Sequence, residues 1–233
     1  MRRYVDRHDA GRTLAAALAS RYSGEPDLAV LALPRGGVPV GYEVARRLGA
    51  PLDVFVVRKL GMPGQEELAI GAVASGGVRV LNEPVIRALG IPKSTIDVVT
   101  TMESREVARR ERAYRAGRPA LDVAGRVAIL VDDGLATGST MRAAVAGMRQ
   151  KEPRRIVIGV PIAAPTTCEE LAPEVDDIVC TVTPESFFAV GQWYEDFSQT
   201  SDDEVRELLE RAAREHASRS GASPYPGDHG AVR

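Results

Sequence analysis

The stretch from Val127 to Thr140 (VAILVDDGLATGST) limits the possible folds of this chain more than any other. Val127 to Val131 is an apolar run too short for a buried helix, and it reads as a strand covered on both faces. Two carboxylates, Asp132 and Asp133, stop it. A turn of small residues follows, and a helix is expected from about Ser139 to Arg149. Strand, short turn and helix make the repeating unit of a parallel sheet covered by helices. The same unit recurs as Leu28 to Leu33 with a helix from Val38 to Leu48. Further strands are expected over Asp53 to Val57, Ile156 to Val160 and Ile178 to Val182. The expected fold class is therefore α/β, a parallel sheet flanked by helices.

A long excursion, residues 58–126, separates the second strand from the third. It holds an expected hairpin, Ala69 to Asn82, turning at Ser75-Gly76-Gly77, then a charged helix from Ser94 to Ala116. In that helix Arg105, Arg109, Arg110, Arg112 and Arg115 interleave with Glu103, Glu106 and Glu111, the lacing of a solvated face, with a dimer contact as the alternative. Ser201 and Glu204 form a capping box, and Val205, Leu208, Leu209 and Ala212 give the helix that follows an apolar stripe. From Arg219 the chain is turn-rich and has little to bury, so disorder is expected over 219–233. The expected organisation is one domain, 1–218, with a small C-terminal hood at about 183–200.

With 30 cationic and 32 acidic residues and a formal net charge of -2, no general basic surface for nucleic acid is expected. No apolar run is long enough to cross a bilayer, and no apolar segment follows Met1-Arg2-Arg3, so a cytoplasmic location without membrane attachment is expected. Cys168 and Cys180 lie in apolar surroundings and read as buried thiols, not as a disulfide or zinc site.

The turn after Val131 suits a sugar phosphate. A helix N-terminus offers unpaired N–H groups and the positive end of a dipole to an anion. Gly138 permits close approach, and Thr137, Ser139 and Thr140 add hydroxyl donors. Asp132 and Asp133 would repel a phosphate, so they suit neutral hydroxyls or a metal beside it. A nucleotide-binding P-loop is excluded because GxxxxGK[ST] and its lysine are missing. This segment resembles the phosphoribosyl pyrophosphate (PRPP) motif of type I phosphoribosyltransferases. The resemblance covers about residues 25 to 200. It implies that Asp132 and Asp133 hold the ribose hydroxyls and that Ala136, Thr137, Gly138, Ser139 and Thr140 wrap the 5′-phosphate.

Leu33-Pro34-Arg35-Gly36-Gly37 ends the first strand with a guanidinium fit for phosphate oxygens and two glycines that would expose backbone N–H groups. By the resemblance, Arg35, Gly36 and Gly37 form the pyrophosphate loop. Arg58-Lys59-Leu60-Gly61-Met62-Pro63-Gly64 is similar to a segment of adenine phosphoribosyltransferases whose cations reach the pyrophosphate and whose loop closes over the site, so a mobile loop is expected. Lys59 is one of only three lysines. Glu66 and Glu67 follow, either as a loop carboxylate near the base or as surface charges.

Phe187 to Phe197 gathers Phe187, Phe188, Trp193, Tyr194 and Phe197, and aromatic clusters are more often core than ligand platform. The segment is nevertheless similar to the hood of hypoxanthine-guanine phosphoribosyltransferases. By that resemblance Phe188 stacks on a purine, and Glu195 or Asp196 helps bind magnesium pyrophosphate. Departures are clear: Ala136 stands where the oxopurine enzymes have aspartate, and no base-reading lysine lies near Val157. An adenine-like loop is thus combined with an oxopurine-like hood, which leaves the base open.

The resemblance implies a transferase that moves 5-phosphoribosyl from PRPP to a nitrogenous, purine-like base. Mg²⁺ would be held mainly through PRPP, with Asp132, Asp133 and Asp196 as candidate ligands, and the chain would pair as a homodimer. Two alternatives are a non-catalytic regulator that senses PRPP or a nucleotide, and a helper domain for another enzyme. Arg35, Arg58 and Lys59 together favour the enzyme.

Overall fold

The computed structural model describes residues 3–220. The elements run α1 (Arg7–Tyr22), β1 (Leu28–Ala32), α2 (Gly37–Leu48), β2 (Leu52–Val54), β3 (Val57–Met62), β4 (Gln65–Ala74) and β5 (Val78–Leu81). Next come α3 (Glu83–Leu89), α4 (Lys93–Arg115), β6 (Val127–Val131), α5 (Ser139–Arg149), β7 (Arg155–Ile162), α6 (Pro165–Leu171), β8 (Asp177–Val182) and α7 (Asp202–Ser220). Sequence reading did not single out α1. It is capped by the Asp6 carboxylate on the Asp9 N–H, and Leu14, Leu18 and Tyr22 recur on one buried face.

Five strands form a parallel sheet in the order β2-β1-β6-β7-β8. The central strand β6 is buried along its whole length and divides its side chains by alternation. Ala128 and Leu130 meet Met141, Ala144, Val145 and Met148 of α5. Val127, Ile129 and Val131 meet Leu14 and Leu18 of α1 and Val40 and Val44 of α2. Each large aliphatic side chain so buried contributes about 1.5–3 kcal/mol. The helix after β1 therefore covers one face and the helix after β6 the other. Between the carboxyl ends of these neighbouring strands the chain diverges to opposite faces, which opens a crevice of the kind α/β proteins use for ligands.

Two expectations need correction here. The second parallel strand ends at Val54, not Val57. The apolar run Val54-Phe55-Val56-Val57 hides the break, because Val57 already pairs with Ala74 in a separate antiparallel sheet, β3-β4-β5. Ser75 seals the crossing: its N–H donates to the Val56 carbonyl (2.9 Å) and its hydroxyl accepts from the Val56 N–H (2.8 Å). Likewise the stretch expected as a mobile loop is the β3–β4 hairpin, which turns at Pro63-Gly64 with Gly64 at φ 83°. The Ser75-Gly76-Gly77 turn and the β5 strand fall within the expected hairpin.

A third core lies between the antiparallel sheet and α4 and α7, where Leu60, Ile70 and Val73 meet Ile96, Val107, Tyr114, Val205 and Leu209. Arg115, expected on a solvated face, is instead largely buried against β2, with Nε 2.9 Å from the Asp53 carboxylate. Mutual burial makes that pair part of how α4 docks. The Ser201 hydroxyl accepts the Glu204 N–H (3.1 Å), as the capping box requires. Helix α7 continues to Ser220, two residues into the stretch expected to be disordered, and the remainder, 221–233, lies outside the described residues. Cys168 and Cys180 are free and partly buried. Among the described residues no helix is long and apolar enough to cross a membrane.

Candidate active site

The crevice at the ends of β1 and β6 brings two of the sequence-expected segments into contact. The Leu33 N–H donates to the Val131 carbonyl (2.8 Å), so the chain after β1 starts out beside Asp132. Gly36 then passes so close to Asp133 that an added Cβ would stand 2.0 Å from Asp133 Oδ2. At Gly37 a Cβ would stand 2.7 Å from the Val131 carbonyl oxygen. Both glycines are needed for lack of room. One expectation fails: the Gly37 N–H does not face an open anion site but donates to the Leu33 carbonyl (3.0 Å), closing the turn on itself. The Pro34–Arg35 peptide is cis.

Desolvation and the neighbouring Asp133 push the Asp132 carboxyl well above the usual carboxylate range. Burial also raises Asp133, opposed by the guanidinium of Arg7, whose Nε lies 2.8 Å from Asp133 Oδ2. Asp132 Oδ1 accepts the Asp133 N–H (2.8 Å), and the Asp133 carbonyl accepts the Tyr194 hydroxyl (2.6 Å). Two adjacent, partly buried carboxylates favour a cation or sugar hydroxyls between them.

Beyond them the turn is pinned. Leu135 bridges to Ala163 at the end of β7, its N–H donating to the Ile162 carbonyl (2.9 Å). The Thr167 hydroxyl of α6 donates to the Ala136 carbonyl (2.5 Å), and its methyl lies where a Cβ on Gly138, φ 67°, would collide. Asp132, Gly134 to Met141 and Val190 line a cleft of about 190 Å³. Ala136, Thr137 and Thr140 are open to solvent there, and the Thr137 and Ser139 hydroxyls lie 3.2 Å apart. This is an anion-sized recess at a helix N-terminus, with hydroxyl donors on its rim.

The cations stand apart from that recess. Arg35 faces Asp202 of α7 (3.7 Å), which also accepts the Tyr114 hydroxyl. Arg58 is tied to Glu103 of α4 (2.6 Å), and that bond holds its pKa above the usual value. Lys59 is exposed on β3. Glu66 and Glu67 fall on β4.

The aromatics of 187–197 differ in burial. Tyr194 is buried with Tyr4 and Ile162, and Phe187 and Trp193 pack against them. Phe188 is 82% exposed and lines an open cleft of about 490 Å³ with Arg3, Gln192 and Trp193. Glu195 and Asp196 are exposed, and both are held by backbone bonds to the N-terminal segment, at Tyr4 and Val5. Asp196 Oδ1 accepts the Ser198 N–H (2.8 Å), which lowers its pKa.

Arg7 and Thr167 were not identified from sequence, nor was the hydrogen bond of Tyr194. The α1 stripe was readable, but an arginine at the start of a helix carries no signal of a partner 126 residues away.

A sequence profile for the phosphoribosyl transferase domain matches residues 4–196. Two Mycobacterium tuberculosis proteins, from strains CDC 1551 and H37Rv, are named provisionally as phosphoribosyl transferases. Each is 48% identical over 217 residues, covering 93% of this chain and 48% of its own. The chain thus spans about half the length of these curated relatives. The crystal structure of TT1426 from Thermus thermophilus superposes with a TM-score of 0.80 at 42% identity, covering 90% of this chain and 98% of that one.

Proposed function

The chain belongs to the phosphoribosyl transferase domain family, and from that premise we propose that it transfers 5-phosphoribosyl from PRPP to a nitrogenous base, purine-like by preference, releasing pyrophosphate. The observation that carries this reading is the contact between Gly36 and Asp133 at the strand switch point, which sets a carboxylate pair beside a phosphate-sized recess.

In this reading Asp132 and Asp133 accept the ribose hydroxyls, and Ala136 to Thr140 enclose the 5′-phosphate. Arg35, Gly36, Gly37, Arg58 and Lys59 receive the pyrophosphate, and Phe188 stacks on the base. The bond from C1 to the pyrophosphate oxygen breaks through an oxocarbenium-like state, and a base nitrogen supplies the new bond. Catalysis then consists of stabilising the leaving charge and excluding water, with no covalent bond to the protein. Mg²⁺ would be held mainly through PRPP, with Asp132, Asp133 and Asp196 as further hard oxygen donors, and the raised pKa values of the first two mark a place where added positive charge is stabilising. There it would supply neutralising charge to the diphosphate. The proposal takes the chain as a cytoplasmic homodimer and one domain with a hood.

A second reading, PRPP sensing without turnover, draws on one observation: Arg35 and Arg58 are both engaged by internal carboxylates. Pyrophosphate release from PRPP and Mg²⁺, measured against purine, pyrimidine and pyridine bases, separates the two. Release that depends on one base establishes the transferase and names its substrate. PRPP binding without release for any base establishes the sensor.

A further inference from the structure

Arg7 opens α1, where a positive charge opposes the helix dipole, so helix stability does not account for it. Its side chain is nonetheless only 11% exposed and fixed on three sides. Nε lies 2.8 Å from Asp133 Oδ2, Nη1 donates to the Ser198 carbonyl (2.6 Å), and the guanidinium carbon stands 4.0 Å from the Phe197 ring centroid. Gly36 of the turn after β1 lies against the same pair, since a Cβ there would come within 3.1 Å of Arg7 Nε. The helix start is itself strapped to the hood. The Tyr4 N–H donates to the Trp193 carbonyl, and the Glu195 and Asp196 N–H groups donate to the Tyr4 and Val5 carbonyls.

We propose that Arg7 is a positioning residue that locks the Asp133 carboxylate against the hood, taking Oδ2 so that Oδ1 is presented to a sugar hydroxyl. This rests on the PRPP reading and extends it: the N-terminal helix and the hood jointly orient a ribose-binding group that follows β6. Arg7 acts through Asp133 and does not meet the pyrophosphate.

The test is calorimetric titration of the full chain with PRPP and, separately, with inorganic pyrophosphate, both with Mg²⁺, for wild type, Arg7→Gln, Arg7→Lys, Asp133→Asn and Arg7→Gln/Asp133→Asn. Arg7→Gln is expected to weaken PRPP about tenfold while pyrophosphate stays within about twofold, and Arg7→Lys to recover part of the loss. The double variant is expected to match Asp133→Asn, because both substitutions remove one interaction. Equal loss of both ligands, or losses that add in the double variant, overturns the inference in favour of a purely structural or a pyrophosphate-binding role. If Arg7→Gln does not fold, Phe197→Leu removes the ring under Arg7, together with its contact to Tyr194 (centroids 5.0 Å apart), and is expected to weaken PRPP about threefold while pyrophosphate stays unchanged; an unchanged PRPP affinity overturns the inference. Wild-type protein that binds no PRPP overturns the functional reading itself. Wild-type binding that Arg7→Gln leaves intact overturns only the role of Arg7.

Discussion

In the turn after β6, Asp133 is gripped by Arg7 and Tyr194, and Ala136 by Thr167, through contacts of 2.5–2.8 Å, whereas Arg35 and Arg58 sit on Asp202 and Glu103 of distant helices. The first set holds the site in shape and leaves the recess open. The second neutralises the charges that a diphosphate would need. Partly exposed pairs of this kind are worth about 0–1 kcal/mol, so a diphosphate that engages Arg35 and Arg58 loses little by displacing Asp202 and Glu103. In the proposed reading, the sugar side of the site is rigid and the leaving-group side exchangeable.

The largest effect is expected on the rigid side. Gly36→Ala drives a methyl into Asp133 Oδ2 and should lower PRPP affinity about a hundredfold, at unchanged helical content by circular dichroism. Retained affinity would mean that the contact between the two turns is loose. Thr167→Val keeps the methyl on Gly138 but leaves the Ala136 carbonyl unpaired, a loss of about 1 kcal/mol or fivefold in ribose 5-phosphate affinity. The smallest effect belongs to the exchangeable side, and its sign is opposite. Glu103→Gln frees Arg58 and should tighten pyrophosphate about threefold, with ribose 5-phosphate unchanged. Weaker pyrophosphate binding in that variant would make Glu103 a supporter of Arg58, not its competitor.

Legibility followed how local the cause was. Strand β6, its two carboxylates and the helix after them could be read in the sequence, because burial on both faces and the small-residue turn are written in consecutive residues. The end of β2 could not, because Val54 to Val57 stays apolar while the chain changes sheets, and only the pairing with Ala74 and Ser75 marks the crossing. Gly36 and Gly37 were recognisable as special, but the reason differs: they clear space for Asp133 and Val131, and the Gly37 N–H is used within its own turn. Phe188 and Tyr194 sit six residues apart in one aromatic cluster, yet one is open to solvent and the other buried, a division that only the packing of Tyr4 and Ile162 decides. Arg7 could not be found at all, since its contacts are with Asp133, Ser198 and Phe197, all more than a hundred residues away.

PRPP is expected to bind in the crevice between β1 and β6 through the Asp132–Asp133 pair. Titration of PRPP and Mg²⁺ onto wild type and Asp133→Asn tests it most directly. Binding by the wild type and a loss of at least about tenfold in the variant are expected, because an amide replaces a charged acceptor that is only 16% exposed. Equal affinity in the two proteins would place PRPP elsewhere and contradict it.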